Sequence, residues 1–188
     1  MRFIPGELYH VYNRGNNQQN IFFNNSNYQF FLRKIKNELT KYCDIVAYCL
    51  MPNHYHLLIK VSDETQDSEI HSLVRKVGTL QSSYTRAINI QNKSKGSLFQ
   101  QKAKAKHLSE QDQAFICFHY IHQNPVKAGL VNDLSDWEFS SYNDYVRRNS
   151  GFVSVNLAYE LLDVPRDIEA FELQSTDVML DDIRDKIF

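Results

Sequence analysis

The sequence predicts an α+β protein. The expected architecture is a ferredoxin-like split βαβ sandwich, an antiparallel sheet with helices on one face, plus a C-terminal helical extension. Three observations predict it. The segments run strand, helix, strand, strand, helix, strand, helix, and the first six match a split βαβ unit. The second and third strands are parted only by Met51-Pro52-Asn53, which suggests a hairpin. The composition, 43% hydrophobic and 23% charged over 188 residues, is that of a globular domain with a real core. It excludes a wholly disordered, collagen-like or disulfide-scaffold chain.

Each element has its own signal. Glu7 to Arg14 (ELYHVYNR) alternates and is rich in Tyr and Val, so it reads as a strand. Gly15 and the run Asn16 to Asn20 read as a loop. Asn27 to Tyr42 places Phe30, Phe31, Ile35 and Leu39 at helical spacing, with Ser26 or Asn25 as cap. Asp44–Leu50 and His54–Val61 read as strands around the Pro52 break. Ser68 to Ile90 is a long helix with Ile70, Leu73, Val77, Leu80 and Tyr84 on one face. Gly96 to Leu108 reads as a strand whose Lys102, Lys104 and Lys106 share a face. Glu110 to Asn124 is a helix ended by Pro125, and the chain after Arg148 holds one or two more helices. The expected division is a domain at 1–148 and an acidic helical extension at 149–188.

The net charge of −1 argues against a nucleic-acid binder when taken as a sum. Its distribution argues otherwise. Residues 160–188 hold nine acids and three bases. The 39 residues from His71 to Ser109 hold eight bases (Arg75, Lys76, Arg86, Lys93, Lys95, Lys102, Lys104, Lys106) and no acid. Such a run is the footprint of a polyanion site or a solvated Lys-rich surface. Binding to a polyanion there is local and salt-sensitive. No apolar run has signal-peptide or membrane-span length, and Cys43, Cys49 and Cys117 make no C-x-x-C pair, which suits a reducing cytoplasm.

His54-Tyr55-His56 is the most informative spot. In a strand, residues i and i+2 share a face, so two imidazoles project together while Tyr55 points away. Two such histidines are half of a divalent metal site, or simply two half-exposed strand residues. Tyr120 and Asn124 share one side of their helix, and an Asn amide oxygen can ligate a hard cation beside two histidines. A Tyr120 hydroxyl near a metal-polarised phosphate would be a covalent nucleophile; otherwise it is one hydrogen-bonded phenol among 11 tyrosines. Other residues carry weaker signals. His10 shares a face with Tyr12, to approach the site or to pack. Tyr84 reads as core, and Phe99 as a base-stacking ring or core. Ser140 and Ser141 read as phosphate contacts or caps. His119 and His122 flank Tyr120 without being required by this chemistry.

Four motifs then occur in one order: Tyr9-His-Val-Tyr-Asn-Arg-Gly15, Met51-Pro-Asn-His-Tyr-His-Leu-Leu58, Tyr120-Ile-His-Gln-Asn-Pro-Val-Lys-Ala-Gly129 and Trp137-Glu-Phe-Ser-Ser-Tyr142. Over about residues 1–145 the chain resembles the REP-associated tyrosine transposases, an IS200-like branch of the HUH single-strand DNA transposases. Tyr55 takes the middle place of the His-hydrophobic-His signature. The resemblance implies that His54 and His56 bind a divalent metal ion, Mg²⁺ or Mn²⁺. It also implies that Tyr120 attacks a DNA phosphate, giving a 5′-phosphotyrosine link and a free 3′-hydroxyl. Asn124 falls where relatives place a polar third ligand, often Gln. The implied partner is single-stranded or hairpin DNA, bound by a monomer or homodimer. Arg14, Lys102, Lys104 and Lys106 are the expected backbone contacts, which position DNA without reading its sequence. The expected function is metal-dependent strand cleavage and rejoining near hairpins. The alternatives are a domesticated hairpin-DNA binder with little or no cleavage, and a metallo-phosphoesterase that uses water.

Overall fold

The computed structural model describes residues 2–147 and 151–177. Four strands form one sheet: β1 (Leu8–Arg14), β2 (Cys43–Met51), β3 (His54–Val61) and β4 (Lys104–Leu108). Their order is β2-β3-β1-β4, and each neighbouring pair is antiparallel. Helix α1 (Asn25–Leu39) joins β1 to β2, and α2 (Asp67–Gln91) joins β3 to β4. Two interleaved βαβ units around an antiparallel sheet are the split βαβ sandwich that the element order predicts.

The pleat sorts the helices onto faces. Tyr55 turns toward α1 and α2: its ring lies 5.1 Å from Phe31, and its hydroxyl accepts from Gln81 Nε2 at 2.7 Å. His54 and His56 point the other way, where a third helix, α3 (Gln111–Lys127), places the Tyr120 ring 5.5 Å from His56. So α1 and α2 fill the expected helical face, and α3 covers the opposite one. Phe31, Ile35 and Leu39 of α1 and Leu73, Val77, Leu80 and Tyr84 of α2 are buried between sheet and helices. Burying each such side chain stabilises the fold by roughly 1.5–3 kcal/mol. The α1 cap is Asn24, not Ser26 or Asn25; its side chain accepts from Asn27 N at 3.1 Å.

Two boundaries near the site and one short helix differ from the sequence reading. The fourth strand starts at Lys104, not Gly96. The preceding segment meets the end of β1 through an isolated bridge, with Gln100 N donating to Arg14 O at 2.8 Å, and Asn13 Nδ2 donates to the carbonyls of Gln100 and Gln101 at 3.3 and 3.1 Å. Lys102 therefore lies outside the strand. Helix α3 continues through Pro125 to Lys127. Proline forfeits one bond to the preceding turn, but the end is closed immediately by Gly129. Gly129 N donates to Val126 O and Leu130 N to Pro125 O, with Gly129 at a φ of +66°. The short helix α4 (Tyr142–Val146) has too few residues for a periodic signal.

Beyond it, α5 (Val155–Leu161) and α6 (Ile168–Asp177) pack on the body. Ser154 N donates to Ile45 O at 2.8 Å beside the β2 bulge, and Phe171 is buried with its ring 5.4 Å from Tyr145. The expected boundary at 148–149 and residues 178–188, with Asp181, Asp182 and Asp185, fall outside the described residues.

Candidate active site on the second sheet face

The site is assembled by β1, β3 and α3. In the β1–β3 register Tyr12 opposes His56 and Arg14 opposes His54. Opposed residues share a face, so His10, Tyr12, His54 and His56 all project toward α3. His10 Nε2 lies 2.8 Å from His56 Nδ1, and the His10 ring stacks on Tyr12 at 4.7 Å between centroids. The His54 and His56 rings meet edge to face at 5.0 Å. From α3, Tyr120 presents its ring 5.5 Å from His56 and 6.5 Å from His10. Asn124, one turn later, hydrogen-bonds the His54 imidazole, while its Nδ2 donates to Tyr120 O at 2.7 Å. With its nitrogen engaged by the helix, its amide oxygen is the group left to face the cluster.

The electrostatics suit donors rather than cations. Burial, and then the Arg14 charge, lower the His54 pKa to about 4, with the Asn124 hydrogen bond opposing. Burial, and then Lys106, lower His10 to about 3. Burial, and then the neighbouring His10 and His54, push His56 well below the ordinary imidazole value. These imidazoles are neutral at pH 7 and carry lone pairs. Two neutral imidazoles and a carboxamide oxygen on one side of a half-buried phenol are a donor set that fits a divalent cation. Among the described residues, no three His, Cys, Asp or Glu side chains form a metal cluster. Asn124 adds a candidate amide-oxygen donor on the same side.

One positioning residue, Asn53, escaped the sequence reading. Asn53 Oδ1 lies 2.5 Å from His54 Nδ1, fixing that ring from the turn before β3. The turn is in turn braced by the loop after β1, where Gly15 N donates to Asn53 O at 2.7 Å and Asn53 Nδ2 to Gln18 O at 3.2 Å. The Met-Pro-Asn turn was legible; what its Asn side chain touches was not. The open question about His10 resolves toward the site, because it is fully buried against His56.

The expected DNA contacts separate. Lys104 and Lys106 oppose Tyr12 and His10 across β1–β4 and share the site's face. The Lys104 ammonium sits 5.9 Å from the Tyr12 ring centroid. Arg14 is exposed at the end of β1 beside His54. Lys102 does not alternate with the other two, since it precedes the strand, and it is exposed. The acid-free run is also split in space. Lys76 on α2 is paired with Glu38 of α1 at 2.6 Å.

Several weaker candidates are structural. Phe99 and Tyr84 are buried in the core, and Tyr84 donates its hydroxyl to Ile21 O at 2.7 Å. Ser141 is buried; its Oγ accepts from Tyr48 N at 2.8 Å and meets His122 Nε2 at 2.7 Å. Ser140 is buried as well. His119 Nε2 meets Gln174 Oε1 of α6 at 3.2 Å, on the far side of α3. Among the described residues, no helix is long and apolar enough to cross a membrane.

Comparison with known proteins bears on the family and the fold. The family model for IS200-like transposases matches residues 6–124, well over half of the chain. A Haemophilus influenzae protein described as a REP-associated tyrosine transposase is 27% identical over 114 residues, covering 55% of this chain. The chain spans about three fifths of that relative's length, 61%. The solved structure of a REP-associated tyrosine transposase bound to a REP hairpin superposes with a TM-score of 0.62 at 20% identity. That match covers 82% of this chain and 87% of the other, and it shows the shared fold.

Proposed function

Because this chain belongs to the IS200-like transposase family, we propose that it cleaves and rejoins single-stranded DNA beside hairpins through a covalent link to Tyr120. The observation that carries this reading is the convergence on one sheet face of His54, His56 and Asn124 beneath the Tyr120 ring. In the proposed step the Tyr120 hydroxyl gives up its proton and its oxygen attacks a backbone phosphorus. The bond from phosphorus to the 3′ oxygen breaks, and that oxygen takes up a proton and leaves as a 3′-hydroxyl. The phosphate stays on Tyr120 as a 5′-phosphotyrosine, and a 3′-hydroxyl attacking it regenerates the phenol.

His54, His56 and the Asn124 amide oxygen would hold the divalent ion, Mg²⁺ or Mn²⁺. When bound there, such an ion supplies Lewis-acid stabilisation to the charge developing on phosphate oxygens. The remaining work is the chain's own. Asn53 and His10 orient the two imidazoles. The α3 backbone aligns Tyr120 with Asn124 one turn apart. Arg14, Lys104 and Lys106 line the same face and attract the phosphate chain.

The test is a denaturing gel. Wild type is incubated with labelled, hairpin-flanked single-stranded DNA and Mg²⁺ or Mn²⁺. A covalent adduct that disappears in Tyr120→Phe is expected. Hairpin binding with no adduct under either metal would identify a binder instead. Cleavage that survives Tyr120→Phe without an adduct would identify a water-using phosphoesterase.

A further inference from the structure

The strand-transfer step leaves one proton without a named donor. The 3′ oxygen that parts from phosphorus is a strong base. A side chain that hands it a proton as the bond breaks speeds such a step by roughly 10²–10⁴-fold. Tyr120 is not that donor, because its own oxygen is forming the new bond. His54 and His56 offer lone pairs rather than protons to the site.

Tyr12 is placed to do it. It stands in the middle of a row that crosses three strands, opposing His56 on β3 and Lys104 on β4, so the three side chains share one face. Its ring stacks on His10 at 4.7 Å and on His56 at 6.0 Å, with interplanar angles of 25° and 29°. The Tyr120 ring meets the same two imidazoles edge to face, at 73° and 86°. Two phenols thus flank one pair of imidazoles, Tyr12 from the sheet and Tyr120 from α3. Both are half-buried, whereas Tyr55 and Tyr84 are sealed in the core. The Lys104 ammonium, on an exposed residue of the edge strand, lies 5.9 Å from the Tyr12 ring centroid. A cation there favours the phenolate that Tyr12 becomes on giving up its proton.

We propose that Tyr12 is a second catalytic phenol of this site, the group that protonates the leaving 3′ oxygen. The inference rests on the strand-transfer reading. The attacking and leaving oxygens of a phosphoryl transfer lie roughly in line, on two sides of the phosphorus. Helix and sheet supply one phenol each. Tyr120 loses its proton to water, and its oxygen bonds to phosphorus. The bond from phosphorus to the 3′ oxygen breaks with its electron pair on that oxygen, which takes the proton of the Tyr12 hydroxyl. Tyr12 is left as a phenolate beside Lys104. In rejoining, the attacking 3′-hydroxyl returns a proton to Tyr12, and Tyr120 takes one from water as it leaves.

The experiment uses the full chain, Mg²⁺ or Mn²⁺, and two versions of the hairpin-flanked single strand. They are identical except that sulfur replaces the bridging 3′ oxygen at the cleavage position mapped with wild type. A thiolate leaves without taking a proton, so the sulfur strand has no need of a donor. Single-turnover rates of Tyr120 adduct formation are compared at saturating protein. Expected in Tyr12→Phe is a loss of about 100-fold on the oxygen strand and a rate within about threefold of wild type on the sulfur strand. Lys104→Gln, at an exposed position, is expected to lose about tenfold on the oxygen strand only. A role in packing alone would slow both strands alike. A wild-type ratio of oxygen to sulfur rates in Tyr12→Phe overturns the proposal. Should that variant lose the wild-type circular dichroism, a wild-type ratio in Lys104→Gln overturns it. A DNA adduct on Tyr12 in Tyr120→Phe also overturns it, by making Tyr12 a nucleophile. No adduct from wild type on either strand overturns the strand-transfer reading and the proposal together. A wild-type adduct with unchanged ratios in the variants overturns the proposal alone.

Discussion

His10 Nε2 and His56 Nδ1 are hydrogen-bonded at 2.8 Å inside the protein, with their rings stacked at 5.0 Å. One proton serves both nitrogens. If His56 is to offer its Nε2 lone pair to a cation, Nδ1 must carry that proton and donate it to His10. An outer partner of this kind fixes the tautomer and orientation of a ligand, and its loss typically costs 10–100-fold in metal affinity. His10→Leu should therefore weaken Mn²⁺ binding, followed by electron paramagnetic resonance, by about tenfold or more. Tyr120→Phe should leave it near the wild-type value. Unchanged Mn²⁺ affinity in His10→Leu would remove His10 from the site.

The loop that braces the Met-Pro-Asn turn depends on Gly15. A Cβ at this position would lie 2.0 Å from the Gln19 carbonyl oxygen and 3.1 Å from Ile21. Both are backbone or buried neighbours, so the loop must move. Gly15→Ala should destabilise the fold by about 1–3 kcal/mol, the usual cost of overpacking. A urea titration measures it as a lower midpoint. An unshifted midpoint would mean that the loop relaxes freely.

Gly78→Ala should act in the opposite direction. The added methyl group meets no atom, and alanine is the better helix former by about 1 kcal/mol. Thermal unfolding should show a higher midpoint. A lower or unchanged midpoint would mean that the α2 backbone at this position does not accept a side chain.

His119 predicts an acid-sensitive dock between α3 and α6. Burial lowers its pKa to about 4, with the Gln174 hydrogen bond opposing. The unfolded chain binds a proton near the ordinary value of 6.5, whereas the folded chain resists it until about 4. Stability is therefore full above about 6.5 and falls as pH drops toward 4. The neighbouring His122, held neutral by its own burial, adds in the same sense. Asp144 opposes them, because burial raises it to about 6, and it stabilises the fold less as pH rises through that range. His119→Leu should flatten the decline in urea midpoint between pH 6.5 and 4. An unchanged slope would place the acid sensitivity elsewhere.

The order of elements, the two-residue spacing of His54 and His56 and the one-turn spacing of Tyr120 and Asn124 were all legible in the sequence. They depend on local periodicity, and local periodicity is written along the chain. Contacts that join distant segments were not. Nothing in the spacing says that His10, 46 residues from His56, shares its proton. Nor does spacing say that Asn13 reaches across 88 residues to hold Gln101 and displace Lys102 from the strand. The Lys102-Lys104-Lys106 pattern looked like one basic face because alternation is all a sequence can display. The strand begins only at Lys104, after a segment that Asn13 and the end of β1 hold by separate bonds. The position of α3 was likewise a tertiary decision. One face of the sheet was already filled by α1 and α2, so the buried stripe of α3, Ala114, Phe118 and Ile121, had only the second face left to cover. The sequence by itself determined which residues are candidate donors and which is the candidate nucleophile. The closing of α3 over the histidine face is what brought them within reach of one another.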